Sequence, residues 1–159
     1  MKETVITVTM TRRFNTTAEI VFDAFLDPGI MKKWFLTTES TNKSVKNEPR
    51  VGGTWETVDH RGGTDYRAIG TYMEISRPNR LVLTLQMPQF SESTDTITVE
   101  LKSLEQGCEM TFTQNTAIPH QESRPSQDIE KADIETKKGS ERVWGILLGR
   151  LKEIVEGSI

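Results

Sequence analysis

Asp59 and His60, with Asp65 a few residues beyond, set an imidazole close to two carboxylates. An imidazole beside carboxylates has the chemistry of a proton-transfer pair, because histidine titrates near neutral pH and a carboxylate can orient it. The same three residues could hold a metal ion weakly. Against both readings, a strand end that meets a turn commonly exposes such residues, and the second histidine, His120, has no Cys or His at ligand spacing. No metal, cofactor or catalytic residue is expected. Cys108 lacks a basic neighbour in sequence and reads as a small hydrophobe rather than a nucleophile. Gly52-Gly53 and Gly62-Gly63 adjoin strands and fit neither nucleotide-binding glycine pattern, so they are bends rather than phosphate cradles. Three tryptophans, Trp34, Trp55 and Trp144, offer rigid apolar area with an indole donor, and core packing is their first use.

These side chains need elements to hold them. From Thr4 to Phe14, Ile6, Val8 and Met10 alternate with threonines in the period of a half-buried strand. Thr16-Thr17-Ala18-Glu19 predicts a capping box, opening a helix whose apolar face is Ala18, Val21, Phe22 and Phe25. Asp27-Pro28 stops that helix and starts a second short one carrying Ile30, Met31 and Trp34. The polar stretch from Thr37 to Arg50 reads as a loop with a short edge strand near Lys43 to Lys46. Strands are predicted at Gly53 to His60, Tyr66 to Ile75, Arg80 to Met87, Ser93 to Leu104 and Cys108 to Asn115, joined by turns of hairpin chemistry. Leu81, Leu83, Leu85 and Met87 share one face, as do Ile97, Val99 and Leu101, and Met110 and Phe112.

Residues 118–139 are hydrophilic and read as a polar loop or flap over an entrance, with only a weak helical stripe at Ile129, Ala132 and Thr136. From a Ser140 cap to Gly157 the spacing predicts a long amphipathic helix whose apolar face includes Val143, Trp144, Leu147, Leu148, Leu151, Ile154 and Val155. Gly145 and Gly149 weaken that helix, so either its backbone approaches the sheet closely or missing side chains leave room for a ligand. The fold class is therefore α+β, a curved antiparallel sheet of six to seven strands around a C-terminal helix, with two short helices after the first strand. One domain over 1–159 suits the length.

Net charge is −3, which argues against a nucleic-acid partner, and the alternating N-terminus is neither a signal peptide nor a membrane span. A cytoplasmic protein without membrane insertion is expected, and its lone cysteine excludes an intrachain disulfide.

Particular residues carry a resemblance. Val21-Phe22-Asp23-Ala24-Phe25-Leu26-Asp27-Pro28, Trp34, Arg50-Val51-Gly52-Gly53-Thr54-Trp55, Gly70 before Glu74-Ile75, Pro78-Asn79-Arg80-Leu81 and Trp144 resemble the START-like (SRPBCC, birch-pollen-allergen-like) superfamily, in its activator of heat-shock-protein-90 ATPase homologue-like branch. The similarity runs from about Thr4 to Gly157. It implies a helix-grip fold with a cavity between sheet and C-terminal helix that takes apolar molecules. Eukaryotic co-chaperones of the branch carry a further chaperone-binding region upstream, whereas this chain opens on the shared domain, so co-chaperone activity is not the first expectation. The long polar stretch before Ser140 departs from the family pattern and bears on the cavity mouth.

The reading that follows is a binding or carrier protein for a small apolar molecule, such as a lipid. Its candidate cavity residues are Trp34, Trp55, Tyr66, Leu83, Leu85, Met87, Ile97, Val99, Met110, Phe112, Trp144 and Leu148. One alternative is an enzyme of the cyclase or hydrolase kind that moves protons through Asp59, His60 or Tyr66. The other is a protein-interaction module, the chain being a monomer or homodimer.

Overall fold

Strand β1 (Lys2–Phe14) turns Ile6, Val8 and Phe14 inward and leaves the intervening threonines outside, as its alternation requires. The computed structural model to which this strand belongs describes residues 2–90, 93–120 and 126–157. Helix α1 (Ala18–Asp23) buries Ala18, Val21 and Phe22. Thr17 rather than Thr16 caps it, its hydroxyl accepting from the Ile20 N–H at 3.3 Å. That one-residue shift puts Glu19 too early in the helix to reach back to the cap, so the reciprocal half of the box is not made. Asp27 caps α2 (Pro28–Trp34) by accepting from the Gly29 N–H at 2.8 Å, with proline at the helix start where its missing donor costs nothing.

Strands β2 (Asn42–Asn47), β3 (Thr54–Arg61), β4 (Thr64–Ser76), β5 (Arg80–Leu85), β6 (Asp95–Ser103) and β7 (Cys108–His120) complete a seven-stranded antiparallel sheet in the order β1-β7-β6-β5-β4-β3-β2. Sequential hairpins build all of it except the β1–β7 pairing, which brings the chain's two halves together. Trp55 shows how locally the register is set. Its indole N–H donates to the Thr84 carbonyl at 3.0 Å, and the cross-strand partner Gly70 leaves the space, since a Cβ there would stand 1.8 Å from that oxygen.

Helix α3 (Ser126–Val155) starts well before the predicted Ser140 cap. The expected flap over 118–139 is replaced at one end by β7, which pairs as far as His120 with β1, and at the other by helix. Residues 121–125 lie outside the described residues. The physical reason is that each part extends an element already nucleated. Once a helix exists, every added residue gains a backbone bond without an apolar stripe, and a strand pairs through its backbone alone. At 30 residues, α3 spans about 45 Å.

Among the described side chains of α3, Trp144, Leu147, Leu148 and Leu151 press into the core. Val143, predicted on the buried face, is 49% exposed. Aromatic rings knit the helices to the sheet. Phe25 meets Trp34 at 4.9 Å, Trp34 meets Phe35 at 5.1 Å, and Phe35 meets both Trp55 at 5.1 Å and Trp144 at 6.1 Å. A Cβ at Gly149 would touch nothing within 4 Å and one at Gly145 only the Met10 methyl, so close backbone approach explains neither glycine.

Candidate functional site

The inner face of the sheet changes character along its length. Leu81, Val99 and Phe112 form one rung across β5, β6 and β7, and it is wholly apolar. The next rung is Leu83, Ile97 and Gln114, and beyond it Leu85 stands opposite Asp95. The first rung is sealed by α3, with the Phe112 and Trp144 rings 4.6 Å apart. Past Trp144 the sheet and helix part, and an open groove of about 640 Å³ lies between them. Leu85 lines it from β5, Met87 from just beyond that strand, Leu36 from the α2–β2 loop, and Gly139, Ser140 and Val143 from the helix.

One polar chain crosses the groove wall. The Trp144 Nε1–H donates to Gln114 Oε1 at 2.9 Å, and Gln114 Nε2 donates to Asp95 Oδ2 at 2.8 Å. Gln114 is 5% exposed, so both ends of its amide are satisfied inside the protein, as a buried amide requires. Asp95 is half-buried and lines the groove. Burial pushes its carboxyl above the ordinary range, against hydrogen bonds from Gln114 and Thr116 that favour the charged form.

Leu36 stands at φ 60°, in the left-handed region. A bulky side chain held there costs roughly 1–3 kcal/mol, and such strain gathers at functional sites. Leu36, Met87 and Val143 also line an adjoining hollow of about 390 Å³ that extends towards Ile146 and Arg150.

Strand alternation separates the proton-transfer candidates. Asp59 points inward, 4% exposed, and accepts from Thr37 Oγ1 at 2.9 Å, from Thr41 Oγ1, and from Arg61 Nε at 2.6 Å. His60 points outward, its Nδ1 lying 2.6 Å from Asp65 Oδ1. Lys43, and after it His60, holds the Asp65 carboxyl below its usual range. Asp59 thus anchors the β3–β4 hairpin to the α2–β2 loop, and His60 belongs to a surface ion cluster. Among the described residues, no group of three or more His, Cys, Asp or Glu side chains is placed to hold a metal, and no helix is long and apolar enough to cross a membrane.

The model of the family described as activator of Hsp90 ATPase homolog 1-like protein matches residues 15–156. The chain belongs to that family. Proteins of solved structure share this fold at low identity. A Staphylococcus aureus protein of unknown function, SA2116, is 21% identical, with a TM-score of 0.91 over 99% of this chain and 97% of that one. CV1439 of Chromobacterium violaceum is 22% identical, with a TM-score of 0.72 over 94% and 96%. PFC0360w, an HSP90 activator from Plasmodium falciparum, is 20% identical, with a TM-score of 0.67 over 96% of each chain. None of the curated proteins compared with it matches.

Within this family fold, Leu85, Met87 and Trp144 are the cavity candidates that line the groove. Trp34, Trp55, Leu83, Ile97, Val99, Met110, Phe112 and Leu148 are in the packed core instead. The Trp34 indole N–H donates to the Ala24 carbonyl at 3.0 Å. Tyr66 lies outside the groove, 5.9 Å from the Phe90 ring and beneath the Arg61 guanidinium at 4.6 Å. Asp95 and Gln114 were missed, although a signal existed. Each continues the inward parity of its strand, after Val99 and Ile97 and after Met110 and Phe112, and breaks it with a polar residue. No sequence signal marked Leu36.

Proposed function

We propose that this chain binds a small, largely apolar molecule in the groove between the middle of α3 and the ends of β5, β6 and β7. What carries the reading is the groove itself. Its volume of about 640 Å³ falls within the range of small-molecule sites, and it joins apolar walls to a few fixed polar groups. Burial of apolar ligand surface drives affinity at about 25 cal/mol per Å² before association costs. The setting is cytoplasmic, in keeping with a single buried thiol, Cys108. Native mass spectrometry of freshly purified protein tests the reading. A co-purified apolar molecule that is lost in a Leu85→Arg variant supports it. A bare mass, together with no uptake of an apolar fluorophore by the wild-type chain, ends it.

A second reading, stimulation of an Hsp90 ATPase, draws on the family description and on the likeness to an HSP90 activator. Phe90, Val143 and Ile146, all about half exposed or more beside the groove, suit a protein surface. Hsp90 ATPase rates with and without the chain decide it: an unchanged rate removes this reading.

A further inference from the structure

Among the described residues that line the groove, Asp95 alone carries a formal charge. Its partners there are Gln114 and Thr116, neither of them cationic. Asp59, another inward-facing carboxylate, differs in having Arg61 at 2.6 Å. The orientation of Asp95's neighbour is also fixed. Because Trp144 occupies Gln114 Oε1, the amide must present Nε2 to Asp95, and it does so at 2.8 Å. The carboxylate is therefore held from the protein side by Gln114, on Oδ2, and by Thr116. A carboxylate has about four acceptor positions, so capacity remains on the side that opens to the groove. Two aromatic rings, Trp144 and Phe90, line the same space, and aromatic faces attract cations. A half-desolvated anion beside aromatic rings is complementary to a positive group, indifferent to a neutral one and repelled by a negative one.

We propose that the groove selects, among apolar molecules, those bearing a protonated amine, with the ammonium on Asp95 and the apolar body against Leu85, Met87 and Trp144. This rests on the small-molecule reading above and adds the chemical class of the ligand. Asp95 is the specificity-determining residue: it makes no covalent step, and it offers charge-assisted hydrogen bonds to the ammonium while Gln114 keeps it in place.

The test is a matched series with one apolar body, octylamine, 1-octanol and octanoate, titrated by calorimetry into the wild-type chain and into Asp95→Asn. Octylamine is expected to bind at least about tenfold more tightly than octanol, as suits a hydrogen bond to a charged group, with octanoate weakest. In Asp95→Asn the amine's advantage should fall to near unity while octanol affinity stays within about twofold. Asp95→Glu, which keeps the charge, should keep the order of preference, so that loss in the asparagine variant is not mistaken for misfolding. Equal binding of all three by the wild type overturns the selection and leaves the small-molecule reading standing. An amine preference that survives in Asp95→Asn overturns the role of Asp95. If none of the three binds the wild-type chain, both proposals fall together.

Discussion

Replacing Trp144 by phenylalanine isolates the hydrogen bond that holds the groove's polar chain. The shorter ring keeps an aromatic partner for Phe112, 4.6 Å away, and for Phe35, 6.1 Å away, but it has no donor for Gln114 Oε1. Gln114 is 5% exposed, so water does not readily replace that donor. Leaving one buried acceptor unpaired costs about 1–3 kcal/mol, roughly twice the net worth of the bond itself. In a domain of this size each kcal/mol moves the thermal midpoint by roughly 2–4 °C, which places the expected drop at about 2–12 °C. Gln114→Met should be destabilising for the converse reason, since it strands the indole N–H. With both changes made, neither orphan remains, and the double variant should be more stable than the sum of the singles by about 1–2 kcal/mol. Urea unfolding followed by far-UV circular dichroism measures all four proteins without depending on tryptophan emission, and the slopes should agree. Strictly additive singles, or a Trp144→Phe cost below about 0.5 kcal/mol, would refute the claim that this bond is buried and coupled.

The remaining expectations concern backbone fit and pH. Gly70→Ala drives a methyl to 1.8 Å from the Thr84 oxygen and 2.4 Å from Trp55 Nε1, so it should cost about 1–3 kcal/mol or more in urea unfolding. Gly149→Ala meets nothing and should stabilise α3 by about 1 kcal/mol in the same assay. Leu36→Asn puts a residue tolerant of the left-handed region at φ 60°. It should leave stability within about 1 kcal/mol while weakening uptake of an apolar fluorophore, because an apolar wall of the groove is lost. Burial raises the folded-state pKa of Asp95, so its stabilising contribution is complete below the unfolded pKa of about 3.9 and is lost as pH rises through the folded value. Asp95→Asn should therefore melt higher than the wild type near neutral pH, with the difference shrinking as acid protonates the wild-type carboxyl. A variant that melts lower at neutral pH would show that the charge is not penalised.

What could be read from the sequence was whatever repeats. Alternation along β5, β6 and β7 named the inward faces because each apolar residue confirms the parity of the last, and Leu81, Leu83, Ile97, Val99, Met110 and Phe112 are all buried as that parity demands. The bent helical pair was legible from Asp27-Pro28, since proline constrains both the residue before it and the helix it begins. Residues 126–139 offered only the weak stripe of Ile129, Ala132 and Thr136, too little repetition to announce the helix that begins at Ser126. The site was obscured for a related reason. A cavity is where packing stops, so an apolar face that runs on regularly predicts core, and most of the expected cavity residues proved to be core. Opening and polarity arrive together at Gln114 and Asp95, for a physical cause. Half-buried Asp95 reaches the groove and buried Gln114 is hydrogen-bonded at both ends of its amide, whereas a polar group in the rung of Leu81, Val99 and Phe112 beneath α3 would meet only apolar neighbours and the full desolvation cost. In this sheet, the open end beside α3 is thus marked by the inward residues that violate the apolar pattern rather than by those that keep it.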